Sequence, residues 1–149
     1  MLCECIKDNQ LEWVMMKSYS ELRRFDTFDE RFDYLRIRGN VGEVTFGVGR
    51  YLNQMLYHSR EWKFIKRDII SRDNGCDLGI EGFEIYGQLR IHHINPVTIE
   101  DLELGSDCVF DPENLITTSH TTHNAIHYGN AEMLPRLPIV RSKRDTCLW

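Results

Sequence analysis

Five of the six histidines fall in two short stretches. The first, Ile91-His92-His93-Ile94-Asn95-Pro96, is an apolar, strand-like run that ends on paired imidazoles and is stopped by Asn-Pro. The second runs from Asn114 through Leu115-Ile116-Thr117 to a helical segment carrying His123 and His127. Residues four apart on a helix share one face, with Cβ atoms about 5–6 Å apart. His123 and His127 can therefore bind one divalent cation through their imidazole nitrogens. A third ligand must come from elsewhere, and the strand end offers two histidines. Successive strand residues point to opposite faces. Of His92 and His93, one turns toward the helix and the cation, the other toward whatever lies across from it. Three neutral imidazoles with open coordination positions make a catalytic kind of metal site. His120, at His-x2-His spacing from His123, is a rival ligand. His58 has no partner in the pattern and reads as structural. Arg90 shares a strand face with His92, where it either binds phosphate or pairs with an acid. Asp111 reads as a loop or capping residue.

The elements that must position these groups follow from the rest of the pattern. Residues 18–37 look helical, with Leu22, Phe25, Phe28, Phe32 and Leu35 at spacings of three and four. Asp26 to Glu30 can break this into two helices, the second capped by Thr27. Leu11 to Met16 read as a strand or a docking segment, and Gly39-Asn40-Val41-Gly42 as a turn. A helix is expected from Tyr51 to Arg72, ended by Asp73-Asn74-Gly75. Residues 76–94 read as extended and broken by Gly79, Gly82 and Gly87 into short strands and a hairpin. Residues 97–110 read as a long acidic loop. Asp111-Pro112-Glu113 turns the chain into a strand over 115–117. Thr118 or Ser119 can cap the following helix, and Gly129 ends it. The tail, with Pro135 and Pro138, reads as an irregular arm. The expected division is an N-terminal helical region, residues 1–57, and a second unit, residues 58–149.

Length and composition fit one domain, or a compact domain with a helical extension. No apolar run approaches the roughly 20 residues that cross a bilayer, so no membrane partner is expected. The first ten residues lack the apolar core of a signal peptide, which points to the cytoplasm. Five cysteines without a Cys-x2-Cys pair argue against a disulfide framework and a four-cysteine zinc knuckle. The formal charge of −5 does not by itself suggest nucleic acid, but its distribution is uneven. Residues 89–134 hold one base and seven acids. Arg60, Lys63, Lys66, Arg67 and Arg72 form one basic cluster, and Arg136, Arg141, Lys143 and Arg144 another. If DNA is the partner, phosphate contacts belong there, with Arg90, Arg60, Lys63, Arg67, Arg141 and Lys143 as the candidates.

Strand, His-His, loop, Asn, strand, and helix with His-x3-His together resemble the ββα-metal (HNH) endonucleases. Asn114 precedes His123 by nine residues and His127 by thirteen. The wider chain is similar to the small phage HNH endonucleases through Phe28-Asp29-Glu30-Arg31-Phe32, the segment from Arg72 to Gly79, and the closing Asp145-Thr146-Cys147-Leu148-Trp149. The resemblance implies an α+β fold with a ββα-metal core and an N-terminal helical extension. It implies cleavage of DNA phosphodiester bonds, with His93 as a solvent-facing general base acting near the ordinary imidazole pKa. It implies that His92, His123 and His127 hold one divalent metal, and that Asn114 bonds across the loop to orient His93. Many HNH proteins have an aspartate where this chain has His92. Three imidazoles favour Zn2+ or Ni2+ over Mg2+ or Mn2+. Ser119 and Thr122 stand where zinc-knuckle cysteines fall in other members, so a second zinc is not expected. A homodimer or a phage packaging protein are the possible partners, in a bacterial or phage-infected cell. The other function open to such a chain is a catalytically silent, metal-stapled module that binds DNA or protein.

Overall fold

The computed structural model describes residues 16–37 and 49–134. Residues 11–15, the turn at 39–42, and the arm at 135–149 with Arg141 and Lys143 lie outside the described residues. Two short helices open the fold, α1 (Tyr19–Leu22) and α2 (Phe28–Leu35). The Thr27 hydroxyl accepts from the Glu30 N–H while the Glu30 carboxylate accepts from the Thr27 N–H, a reciprocal cap that starts α2 as expected. Phe28, Phe32 and Leu35 line the buried face of α2.

The helix expected over 51–72 is two helices, α3 (Gly49–His58) and α4 (Arg60–Arg72). Ser59 divides them: its backbone is extended, its hydroxyl accepts from the Trp62 N–H, and the same hydroxyl donates to the Leu56 carbonyl. One serine thus finishes α3 and caps α4, a role that a continuous apolar stripe conceals. Residues 76–88 form no hairpin strands. They hold a 3-10 turn at Asp77–Gly79 and a single bridge between Cys76 and Glu84. Leu78 is buried with φ near +54°, a left-handed conformation costly for a branched side chain. The acidic stretch before β2 is not all loop. Thr98 and Asp101 cap α5 (Ile99–Leu104) reciprocally, and Gly105 ends it at φ 64°. Glu100 and Asp101 sit in its first turn, where a helix favours negative charge.

The centre is an antiparallel ribbon of β1 (Leu89–His93) and β2 (Leu115–Ser119), with His92 opposite Ile116 and His93 opposite Leu115. β2 runs two residues further than the expected 115–117, directly into α6 (His120–Tyr128). Of the two expected caps, Ser119 is the one that starts α6, and Gly129 closes it in the left-handed region as expected. The ribbon has two apolar faces. Ile94 and Ile116 join Leu22, Phe28, Phe32, Leu35, Leu78 and Ile126 under α2 and α6. Ile91 and Leu115 pack on Trp62 and Ile69 of α4. The result is mixed α+β, with helices clasping a two-stranded ribbon. Among the described residues no helix is long and apolar enough to cross a membrane.

The outer edge of β2 pairs with two buried carboxylates instead of a third strand. Asp73 accepts the Thr117 N–H at 2.8 Å, and Asp77 accepts the Ser119 N–H at 3.0 Å. Asp77 also accepts the Thr122 hydroxyl, which ties β2 to the first turn of α6. Arg72 holds Asp73 bidentately, donates to the carbonyls of Pro112 and Leu115, and lies over the Tyr19 ring at 3.4 Å. It is therefore a structural cation, not part of an exposed phosphate-binding cluster.

Candidate metal centre

β1 and α6 deliver the three imidazoles. On β1, His92 points to the α6 side and His93 to the α4 side, the split that strand alternation requires. On α6, His123 and His127 stand one turn apart. The ring centroids of His92 lie 5.4 Å from His123 and 5.1 Å from His127, and those of His123 and His127 are 4.4 Å apart. One nitrogen from each ring lies within 4.8 Å of the others, close enough for all three to bind one metal ion. His120 does not join them. It is exposed, and its Nε2 contacts the Asn124 side chain at 3.3 Å.

The electrostatics match the geometry. Burial, reinforced by His127 and His123, pushes His92 well below the ordinary imidazole range. Burial, then His127, lowers His123 to about 4, and burial lowers His127. All three are neutral near pH 7, the state in which imidazole binds metal. Nε2 of His92 is buried and has no hydrogen-bond partner. An unsatisfied buried polar atom costs about 1–3 kcal/mol, and a metal ion among the three rings would satisfy it. The donor set therefore fits one divalent cation.

His93 is partly buried, not open to solvent. Its ring stacks on Trp62 at 5.6 Å between centroids, and its Nε2 lies 3.0 Å from the Val109 carbonyl. A carbonyl only accepts, so Nε2 carries the proton and Nδ1 is left as the basic nitrogen. Burial lowers the His93 pKa, and the Val109 carbonyl partly opposes that shift. The expectation of an ordinary imidazole pKa is corrected downward.

Asn114 is buried and bridges the β1–β2 connection. Its Oδ1 accepts from the backbone and side-chain nitrogens of Asn95, each at 2.8 Å, and its Nδ2 donates to the Cys108 carbonyl at 2.9 Å. It touches His93 only indirectly, by fixing Cys108 beside the Val109 carbonyl. Asp111 caps the turn at Pro112–Asn114, as its position suggests.

The basic candidates separate. Arg90 is exposed, and among the described residues no carboxylate pairs with it. Its charge acts on both His123 and Tyr57. Lys63, Lys66 and Arg90 line one cleft beside His123. Arg60 is exposed on α4 outside that cleft. Arg67 turns to Asp68 and the Phe64 ring. His58 bonds the Gln54 carbonyl within α3. Sequence reasoning missed Trp62, Asp73 and Asp77. Trp62 reads as ordinary helix core, and nothing in its spacing pairs it with His93. The acids are visible only as two aspartates four apart beside Asn74-Gly75 and Leu78-Gly79, where all four turn residues have positive φ.

The chain matches no protein-family model, no curated protein and no solved structure.

Proposed function

We propose that this chain is a metal-dependent DNA endonuclease of the HNH kind. His92, His123 and His127 would hold one divalent cation, Zn2+ or Ni2+ being favoured by three imidazoles. When bound, the cation supplies positive charge at a phosphate oxygen and at the departing 3′ oxygen. His93 Nδ1 takes the proton of the attacking water. The water oxygen forms the new bond to phosphorus, the bond to the 3′ oxygen breaks, and solvent returns a proton to that oxygen. The hydrogen bond from Nε2 to Val109 selects the tautomer that makes Nδ1 basic, and the Trp62 ring limits rotation of the imidazole. Asn114 keeps that carbonyl in place by tying Cys108 to Asn95. One site per chain makes nicking the natural event; cutting both strands takes two events or two subunits.

The observation that carries this reading is the unpartnered, buried Nε2 of His92 beside two further neutral imidazoles. Plasmid nicking in Zn2+, Ni2+, Mn2+ or Mg2+ tests it. Wild type should convert supercoiled DNA to open circles with at least one of these. His93→Ala should not, although it still binds one metal ion per chain. No cutting of the plasmid or of a labelled single strand with any of the metals would overturn the nuclease reading and leave a metal-stapled binding module.

A further inference from the structure

A cleft of about 560 Å³ opens beside His123, between the α3–α4 junction and β1. Its lining combines two features that the metal centre does not use. Lys63 and Lys66 come from α4 and Arg90 from β1, and among the described residues no carboxylate lines it. That is a concentration of positive charge on a chain of net charge −5. The second feature is an aromatic wall. Tyr57 is 49% exposed and meets Trp62 edge-on, with ring centroids 5.2 Å apart. Trp62 is buried and committed to His93, so Tyr57 is the ring with an accessible surface.

We infer that this cleft binds an unpaired DNA strand, with its phosphates on Lys63, Lys66 and Arg90 and one base against the Tyr57 ring. This rests on the nuclease reading and adds to it the form of the substrate. The volume lies within the range of small-ligand pockets, about 300–1,000 Å³, enough for one or two nucleotides. A duplex keeps its bases stacked inside and would offer the cleft only backbone and groove edges. A base can lie on Tyr57 only when it has left the helix. Stacking on an aromatic side chain suits every base, so the cleft selects for strandedness and not for sequence. Arg90 stands near both Tyr57 and His123, so a strand held in the cleft runs toward the metal centre.

The test uses the full chain with metal removed by EDTA, so that binding is read without cutting. Fluorescence anisotropy compares a fluorescein-labelled oligothymidine with a labelled duplex of equal length. The single strand should bind about tenfold tighter. Tyr57→Ala should weaken single-strand binding about tenfold, the size expected for one lost stack, and Tyr57→Phe should restore it. The Lys63→Ala, Lys66→Ala double variant should reduce the salt slope of single-strand binding by about 1.4, two contacts at about 0.7 each. Equal or tighter binding of the duplex overturns the proposal. So does unchanged single-strand binding in the lysine variant, which stands even if Tyr57→Ala fails to fold. Strand binding without nicking would refute the nuclease reading alone; nicking without strand preference would refute this one alone.

Discussion

Acidifying the metal-free protein should destabilise it steeply, and the amount follows from the three imidazoles. His123 has a folded pKa of about 4 against about 6.5 in an unfolded chain. Between these values the unfolded state holds a proton that the folded state refuses. Stability is therefore complete above about pH 6.5 and is lost as the pH falls toward 4. Going from about pH 8 to about pH 5 should remove about 2 kcal/mol through His123 alone, tending to about 3 kcal/mol at lower pH. Burial lowers His92 and His127 as well, so both act in the same direction. Against a typical total of about 5–15 kcal/mol, the loss through His123 alone is large enough to read at pH 5. Urea denaturation in EDTA at a series of pH values measures the effect. His123→Asn should flatten the curve by about 2 kcal/mol at pH 5, whatever it does to stability at pH 8. Saturating Zn2+ should raise stability most near neutrality, because metal and proton compete for the same lone pairs. A metal-free protein whose stability is flat from pH 8 to 5, or a His123→Asn variant with an unchanged pH dependence, would refute the clustering of neutral rings.

Other outcomes follow from the same structure. His93→Ala should lower the nicking rate about 10²–10⁴-fold, the usual worth of a general base, while metal content by atomic absorption stays at one ion per chain. In the proposed mechanism the neutral form of His93 is the active one, and burial lowers its pKa, so single-turnover nicking at constant metal occupancy should climb below about pH 6.5 and be flat above it; a midpoint above 7 would contradict the burial. Asp77→Ala strips partners from the Ser119 N–H and the Thr122 hydroxyl and should cost about 2–4 kcal/mol in urea denaturation. Gly129→Ala would put a methyl 2.7 Å from the Ile37 carbonyl at a φ of +62° and should cost more than about 1 kcal/mol, seen as a lower thermal midpoint.

The cluster of His92, His123 and His127 was legible because helical spacing and strand alternation are local geometry. His-x3-His places two rings on one face, and His-His sends its members to opposite sides, whatever the tertiary structure. The caps at Thr27, Ser119 and Gly129 were legible for the same reason. The groups that tune the site were not. His93 is held by a carbonyl of Val109 and a ring of Trp62, sixteen and thirty-one positions away, and a backbone carbonyl has no signature in residue type. The shift in its pKa comes from burial, a property of packing. Helix α5 was hidden by its own charge, since acids in a first turn read equally well as solvated loop. The break at Ser59 was hidden by the apolar stripe that continues across it.

Asp73 and Asp77 occupy the amide groups of β2 that would otherwise accept a neighbour. A third strand, from this chain or from another copy, therefore finds no ladder on that side. If two copies associate, they must do so without sheet extension along β2. The same two side chains guard the ribbon against edge-to-edge aggregation.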